Sequence, residues 1–222
     1  MSSVKHKETL VGVVTSEKTW HHLDRYCFND NFIENRPLFD LAVVFNGKDS
    51  EGIKYVNNFL PEYLFVRPNA SLDPAAFDFL IKNIPVYERY ILLHDDHWFI
   101  DKNWFHTINV LMNLHEEVDV RGNLVKSDIN KPLNSLLISS ILGCAEYQPE
   151  NFPYFLQGLA GLFKGKVIEA ILKLDGIPHI HNNNKEVAQV CERIFSFILL
   201  KEGFIFAQIP PGYEKYLKHR DY

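Results

Sequence analysis

Residues 90–99 read Tyr90-Ile91-Leu92-Leu93-His94-Asp95-Asp96-His97-Trp98-Phe99. Four apolar residues in a row predict a buried strand, and the next four side chains can all bind a metal ion. In an open, mostly parallel α/β sheet, ligands collect at the carboxyl ends of the strands, which is where this cluster falls. Two adjacent carboxylates repel each other, so holding both in a cleft calls for a cation or a basic partner. Hard oxygen donors with open positions suit Mg²⁺ or Mn²⁺, ions that commonly take substrate phosphates as further ligands. The plainer reading makes Asp95 and Asp96 solvated turn residues.

Outward from this stretch the chain alternates strands and helices. Thr9–Thr15 and Leu38–Phe45 are apolar, β-branched runs that predict buried strands, the second ending at Asn46-Gly47, a turn signal. Gly52–Phe59 carries Ile53, Val56 and Phe59 at helical spacing, and Tyr63–Val66 predicts a short strand. Asp73-Pro74 reads as an N-cap with proline at the first helical position, ahead of an apolar stripe of Phe77, Leu80, Ile81 and Ile84. Four βα-like steps thus fill the first hundred residues and predict a mostly parallel sheet. Beyond it, Trp104–Leu114, Lys166–Leu174 and Glu186–Lys201 read as helices and Phe204–Ile209 as a final strand. Val118–Phe155, rich in Asn, Ser, Pro and Asp, predicts only short strands and an irregular loop. No repeat or linker divides the 222 residues. The expected fold class is therefore α/β, a single domain with helices flanking the sheet.

Composition narrows the function. The chain carries 23 basic and 28 acidic residues, a net charge of −5, which argues against nucleic acid as a partner. Three scattered cysteines, Cys27, Cys144 and Cys191, offer neither a disulfide framework nor a CxxC metal site. The first ten residues lack an apolar signal core, and Leu133–Ala145 is too short to span a bilayer. The expected location is cytoplasmic, with a position peripheral to the membrane as the alternative. Walker A, GxGxxG, GxSxG and HExxH patterns are absent, which removes the ordinary dinucleotide, P-loop, α/β-hydrolase and zincin readings. His179-x-His181 would point both rings to one side of a strand as zinc sites need, but Pro178 and Asn182–Asn184 suggest an exposed loop.

With these residues in view, the succession resembles family-2-like glycosyltransferases of the GT-A fold. Their fourth strand ends in a DxD-type motif that holds a divalent metal and, through it, the diphosphate of a sugar nucleotide. His94-Asp95-Asp96 matches that motif with His in the first position. The resemblance implies Asp96, with His94, at the metal and Asp95 near the sugar or ribose; a shifted register would make Asp95 and His97 the outer pair. Val13-Val14-Thr15-Ser16 matches the end of the first strand, and Asn46 with Asp49 the second-strand signature, so Thr15, Asn46 and Asp49 would lie by the nucleoside. Asn69, in Arg67-Pro68-Asn69, matches the third-strand loop. Asn46-Gly47 as a simple turn and Asp73 as a simple cap remain the local alternatives.

The second half follows the same order. Phe155-Leu156-Gln157-Gly158 and Gly161-Leu162-Phe163 resemble the block that binds acceptor and donor sugar, with Gly158 letting backbone approach the substrate. Glu186, at the start of the long helix, matches the acidic residue that serves inverting members as catalytic base. Lys185 departs from the family's Glu-Asp pair, and a glutamate there is also favoured by the helix dipole by about 0.3–1 kcal/mol. His219 matches a C-terminal metal-binding histidine by position. The resemblance implies residues 9–100 as a nucleotide-binding half, 101–210 as an acceptor-side half and 211–222 as a tail. It further implies Mn²⁺ or Mg²⁺ as cofactor, a nucleotide-sugar donor, and a carbohydrate or glycolipid hydroxyl as acceptor. A metal-dependent hydrolase or phosphoesterase using the His/Asp cluster, and a GT-A-like module without catalysis, stand beside it.

Overall fold

A computed structural model describes residues 6–69, 72–126, 132–147, 154–181, 184–213 and 218–219. In chain order the elements are β1 (Thr9–Ser16), a π-helical turn (Leu23–Cys27), α1 (Asp30–Asn35), β2 (Asp40–Asn46), α2 (Ser50–Asn57), β3 (Tyr63–Arg67), α3 (Leu72–Lys82), β4 (Arg89–His94) and β5 (His97–Trp98). They continue as α4 (Trp104–Asn113), β6 (Val120–Lys126), α5 (Pro132–Ile141), β7 (Tyr154–Lys164), α6 (Gly165–Lys173), α7 (Lys185–Lys201), β8 (Phe206–Gln208) and β9 (Lys218–His219).

Seven strands form one sheet in the order β3-β2-β1-β4-β7-β6-β8, and β5 pairs with β9 separately. The β3-β2-β1-β4 half is parallel, with Val13 opposite both Val43 and Leu93. Strands of such a half are covered on both faces and read as unbroken apolar runs; all seven residues of β2 are buried. The β7 strand then runs antiparallel to β4 and β6, and β8 parallel to β6. The mostly parallel sheet expected from the sequence is what forms. The carboxyl ends of β1, β2, β3, β4 and β6 consequently share one pole.

Two apolar layers hold the sheet. One face packs Leu10, Leu92 and Phe163 against Phe77 and Leu80 of α3, Val167 of α6 and Phe195 and Leu199 of α7. The other packs Val11, Val43 and Ile91 against Phe32 of α1, Val56 of α2 and Trp104 and Ile108 of α4. Each such fully buried side chain contributes about 1.5–3 kcal/mol. Gly12 sits where a Cβ would lie 2.9 Å from Leu92 Cδ2 and 3.0 Å from Leu80 Cδ1, so its missing side chain is what lets α3 close onto the sheet.

Three local differences from the sequence reading matter for the site. Helix α3 begins at Leu72, placing Asp73 in its first turn instead of at the cap. Phe155–Phe163 belongs to one eleven-residue strand, β7, bent where Gly158 and Leu159 take φ of 63° and 58°. The stretch from Val118 to Phe155, expected to hold short strands and an irregular loop, contains the seven-residue strand β6 and also the ten-residue helix α5, which the sequence reading did not place. Among the described residues no helix is long and apolar enough to cross a membrane.

Candidate functional site

The buried end of β4 delivers His94, Asp95 and Asp96 to the pole where β1 and β2 also end. Asp95 is buried, and its amide donates to Val14 O at 3.1 Å. Its Oδ2 accepts from Thr15 Oγ1 at 2.6 Å and Thr19 Oγ1 at 2.5 Å, while Oδ1 faces His22 Nδ1 at 3.7 Å. Burial pushes the Asp95 carboxyl up to about 6, against the pull of the two hydroxyl donors. Asp95 is thereby tied to the end of β1 and the loop after it. Asp96, partly buried, lies 3.7 Å from His97 Nδ1. Among the described residues no three His, Cys, Asp or Glu side chains converge closely enough to hold a metal unaided.

His94 turns the other way. Its Nε2 is 2.6 Å from Gly158 O and its Nδ1 3.5 Å from Asp73 Oδ2, so both ring nitrogens face protein groups. Burial alone would lower its pKa, but Asp73, Asp96, the Gly158 carbonyl and Asp95 together hold it above its ordinary value. The bend in β7 makes this possible: a Cβ on Gly158 would stand 2.7 Å from His94 Nε2. Through the preceding peptide unit, Gly158 N donates to Glu192 Oε2 at 3.0 Å. Burial drives the Glu192 carboxyl up to about 7, with the Gly158 amide, His94 and Arg193 opposing the shift and Asp73 adding to it. A chain of contacts therefore runs from α3 through β4 and β7 to α7.

The remaining sequence candidates fall into place around this core. Thr15 is buried and donates to Asp95. Asn46, buried at the end of β2, accepts from Arg67 Nη1 at 3.2 Å. Asp49 caps α2 through Glu51 N at 3.0 Å and accepts from Trp20 Nε1 at 2.7 Å, joining the first and second strand loops. Asn69 follows β3 at the same pole and is partly buried. The β9 strand sets His219 opposite His97 in register, while the His219 side chain lies outside the described residues. His179 bonds back to Ile177 O at 2.8 Å in an irregular segment, with the His181 ring 5.8 Å away.

Glu186 is exposed in the first turn of α7, where its amide bonds to the capping Asn184 Oδ1 at 2.8 Å. Six residues further along, a rise of about 9 Å, Glu192 is the α7 carboxylate that reaches Gly158. Sequence reasoning passed over it. The signal was present: Glu192 shares a helical stripe with Phe195 and Leu199, both in the core, and a glutamate on such a stripe must find a partner or lose its charge. A cavity of about 630 Å³ opens at the other end of the sheet, beside Arg89, Lys164 and Lys166, and none of these site residues lines it.

No protein-family model matches the chain, and no curated protein matches its sequence. Solved structures do. A mannosyltransferase, PcManGT from Pyrobaculum calidifontis, determined with GDP-Man and Mn²⁺, superposes with a TM-score of 0.59 at 12% identity, over 94% of this chain and 56% of that one. Residues 1–349 of TarS from S. aureus give 0.57 at 12% identity, over 95% and 59%. The chain thus spans somewhat more than half the length of each. In sheet order, in helix placement and in these superpositions, its fold is GT-A-like.

Proposed function

We propose that the chain is a glycosyltransferase domain that moves a sugar from a nucleoside-diphosphate donor to a hydroxyl of a carbohydrate or glycolipid acceptor. The observation that carries this reading is the meeting, at one pole of a GT-A-like sheet, of the Asp95-Asp96 pair on β4 with the buried Glu192 of α7. Thr15, Asn46, Asp49 and Asn69 line the strand ends where a nucleoside would lie, with Asp95 toward the ribose or sugar. The donor atoms suit a hard cation: Asp96 would hold Mn²⁺ or Mg²⁺, with diphosphate oxygens completing the shell and His219 as the tail's contribution. Such a cation neutralises charge on a leaving diphosphate. The structural relative bound to GDP-Man and Mn²⁺ supports that choice by analogy of fold.

The base role that the sequence assigned to Glu186 passes to Glu192. A carboxyl poised near 7 can accept a proton from an acceptor hydroxyl at neutral pH, a step worth about 10²–10⁴-fold in rate. The Gly158 amide orients its carboxylate, and His94 fixes the Gly158 carbonyl, so His94 acts as a positioning residue.

A melting panel tests the donor site: UDP, GDP, dTDP and CMP, each with Mn²⁺, Mg²⁺ or EDTA. Ligand at a hundred times its dissociation constant adds about 2.7 kcal/mol, roughly 5–10 °C for a domain of this size. The expected result is a rise with one nucleotide only when metal is present, abolished by Asp96→Ala. A rise with Zn²⁺ or Mn²⁺ alone and none with any nucleotide would refute the reading in favour of a hydrolase.

A further inference from the structure

Beside Glu192, the same helix buries a positive charge that no carboxylate among the described residues meets in an ion pair. Arg193 is 6% exposed. Its guanidinium carbon stands 5.1 Å from the centroid of the Phe155 ring, and Nε is buried with no hydrogen-bond partner. No ion pair joins it to a described carboxylate; Glu192 feels its charge only at longer range. Arg36 shows the contrast, being saturated by the carbonyls of Phe39, Phe59 and Leu60 and by Glu62. An arginine buried on a ring face with its Nε unbonded is costly to the fold and is the form of a site waiting for an oxyanion, which the guanidinium fork pairs with two parallel bonds.

Its position names the ligand. Helix α7 lies along β7 with Glu192 on the Gly158 amide, Ser196 Oγ on the Leu156 amide at 3.0 Å, and Arg193 over Phe155. Phe155 lies beyond the end of β4, where β7 pairs with Val125 of β6. Three residues along a strand span no more than about 10 Å, so the Phe155 ring under Arg193 lies that close to the Gly158 amide that holds Glu192. Under the proposed function, an acceptor whose hydroxyl meets Glu192 has its neighbouring groups within reach of Arg193. We propose that Arg193 is the anion-binding residue of the acceptor subsite, and that the acceptor carries a phosphate or a carboxylate next to the hydroxyl that receives the sugar. The inference rests on the glycosyltransferase reading and narrows its acceptor to an anionic one.

The test uses the full chain as wild type, Arg193→Lys and Arg193→Met, with EDTA present so that no metal-dependent diphosphate site is engaged. Glycerol 3-phosphate, glucuronate and, as neutral control, glucose are titrated by calorimetry. The expected result is saturable binding of one of the two anions and none of glucose. The anion that binds distinguishes phosphate from carboxylate. Binding should weaken about ten- to hundredfold in Arg193→Met and less in Arg193→Lys. Without ligand, Arg193→Met should melt at or above the wild-type temperature, because it removes a buried charge that makes no ion pair or hydrogen bond among the described residues, and Met keeps an apolar contact with Phe155. Equal anion affinity in wild type and Arg193→Met would overturn the proposal, as would failure of both anions to saturate. So would a lower melting temperature in Arg193→Met with binding unaltered, which is the signature of simple stacking on Phe155. The metal-dependent nucleotide shift should be the same in wild type and Arg193→Met. Its absence from the wild type would sink the glycosyltransferase reading on its own, whatever the anion titration returns.

Discussion

Replacing Glu192 by Gln should make the protein more stable and less active, and the stability gain should depend on pH in a stated direction. Burial lifts the carboxyl from 4.5 to about 7. At about 1.36 kcal/mol per unit, keeping Glu192 ionised in the fold costs about 3 kcal/mol. The sign follows from proton binding. Between about 4.5 and 7 the folded state holds a proton that the unfolded chain has lost, so stability falls as pH rises through this window. Above about 7 the cost is complete. Glutamine keeps an oxygen for the Gly158 amide and has no charge to desolvate. The facing charges are His94 on β4, Asp73 on α3 and Arg193 on α7 itself, and none is altered by the substitution. Paired melts at pH 5, 6, 7 and 8 should therefore show Glu192→Gln near wild type at the acid end and about 6–12 °C higher at pH 8. Transfer activity should drop about 10²–10⁴-fold in the same variant, whereas Glu186→Gln, altering an exposed side chain, should leave both properties near wild type. A stability gap that is flat with pH, or widest at pH 5, would refute the burial argument; full activity in Glu192→Gln would remove the base assignment.

Two further substitutions probe the scaffold. Gly158→Ala forces a Cβ onto a residue with φ of 63° and to within 2.7 Å of His94 Nε2. The backbone term alone is about 1–2 kcal/mol, so the urea midpoint should fall and transfer activity should fall with it as His94 is displaced. Asp49→Ala removes the acceptor for both Glu51 N and Trp20 Nε1. Loss of the cap costs about 1 kcal/mol or more, seen as a lower denaturant midpoint, and the nucleotide-induced melting shift should shrink as the first and second strand loops separate.

Much of the fold was legible because parallel strands advertise themselves. Thr9–Thr15, Leu38–Phe45 and Tyr90–Leu93 are apolar on both faces, and only a central strand covered by two helical layers wants such a run. The β7 strand concealed itself for the opposite reason. Its sequence, Tyr-Phe-Leu-Gln-Gly-Leu-Ala-Gly-Leu-Phe-Lys, breaks its own alternation at Gly158, where the chain takes a left-handed turn. Its place between β4 and β6 depends on pairings with residues some seventy and forty positions earlier in the chain, such as Ile91 with Leu162 and Val120 with Phe163. Asp73 misled in a smaller way: Pro74 marks a helix start, but the helix opens at Leu72, which frees the Asp73 carboxylate to face His94.

The site shows why residue type and order reach only so far. His94, Asp95 and Asp96 stand together in the sequence, yet the structure sends them to different work. The Asp95 oxygens meet Thr15, Thr19 and His22 from the β1 side, and the His94 ring meets Gly158 and Asp73 from the β7 side. Adjacent residues at a strand end point to opposite faces, so a string of four potential ligands does not turn as one toward a single metal, and the motif divides between the β1 side and the β7 side. Glu192 joins the β7 side from about a hundred residues away through the Gly158 amide, and nothing local distinguishes it from any helical glutamate except its stripe. Two hydroxyls restrain the rise of Asp95 from 3.8 to about 6, and one amide restrains that of Glu192 from 4.5 to about 7. Burial is the largest cause in both, and the ordinary gap between an aspartate and a glutamate carries through it, so under the proposed glycosyltransferase reading Glu192 is the carboxyl better suited to take a proton.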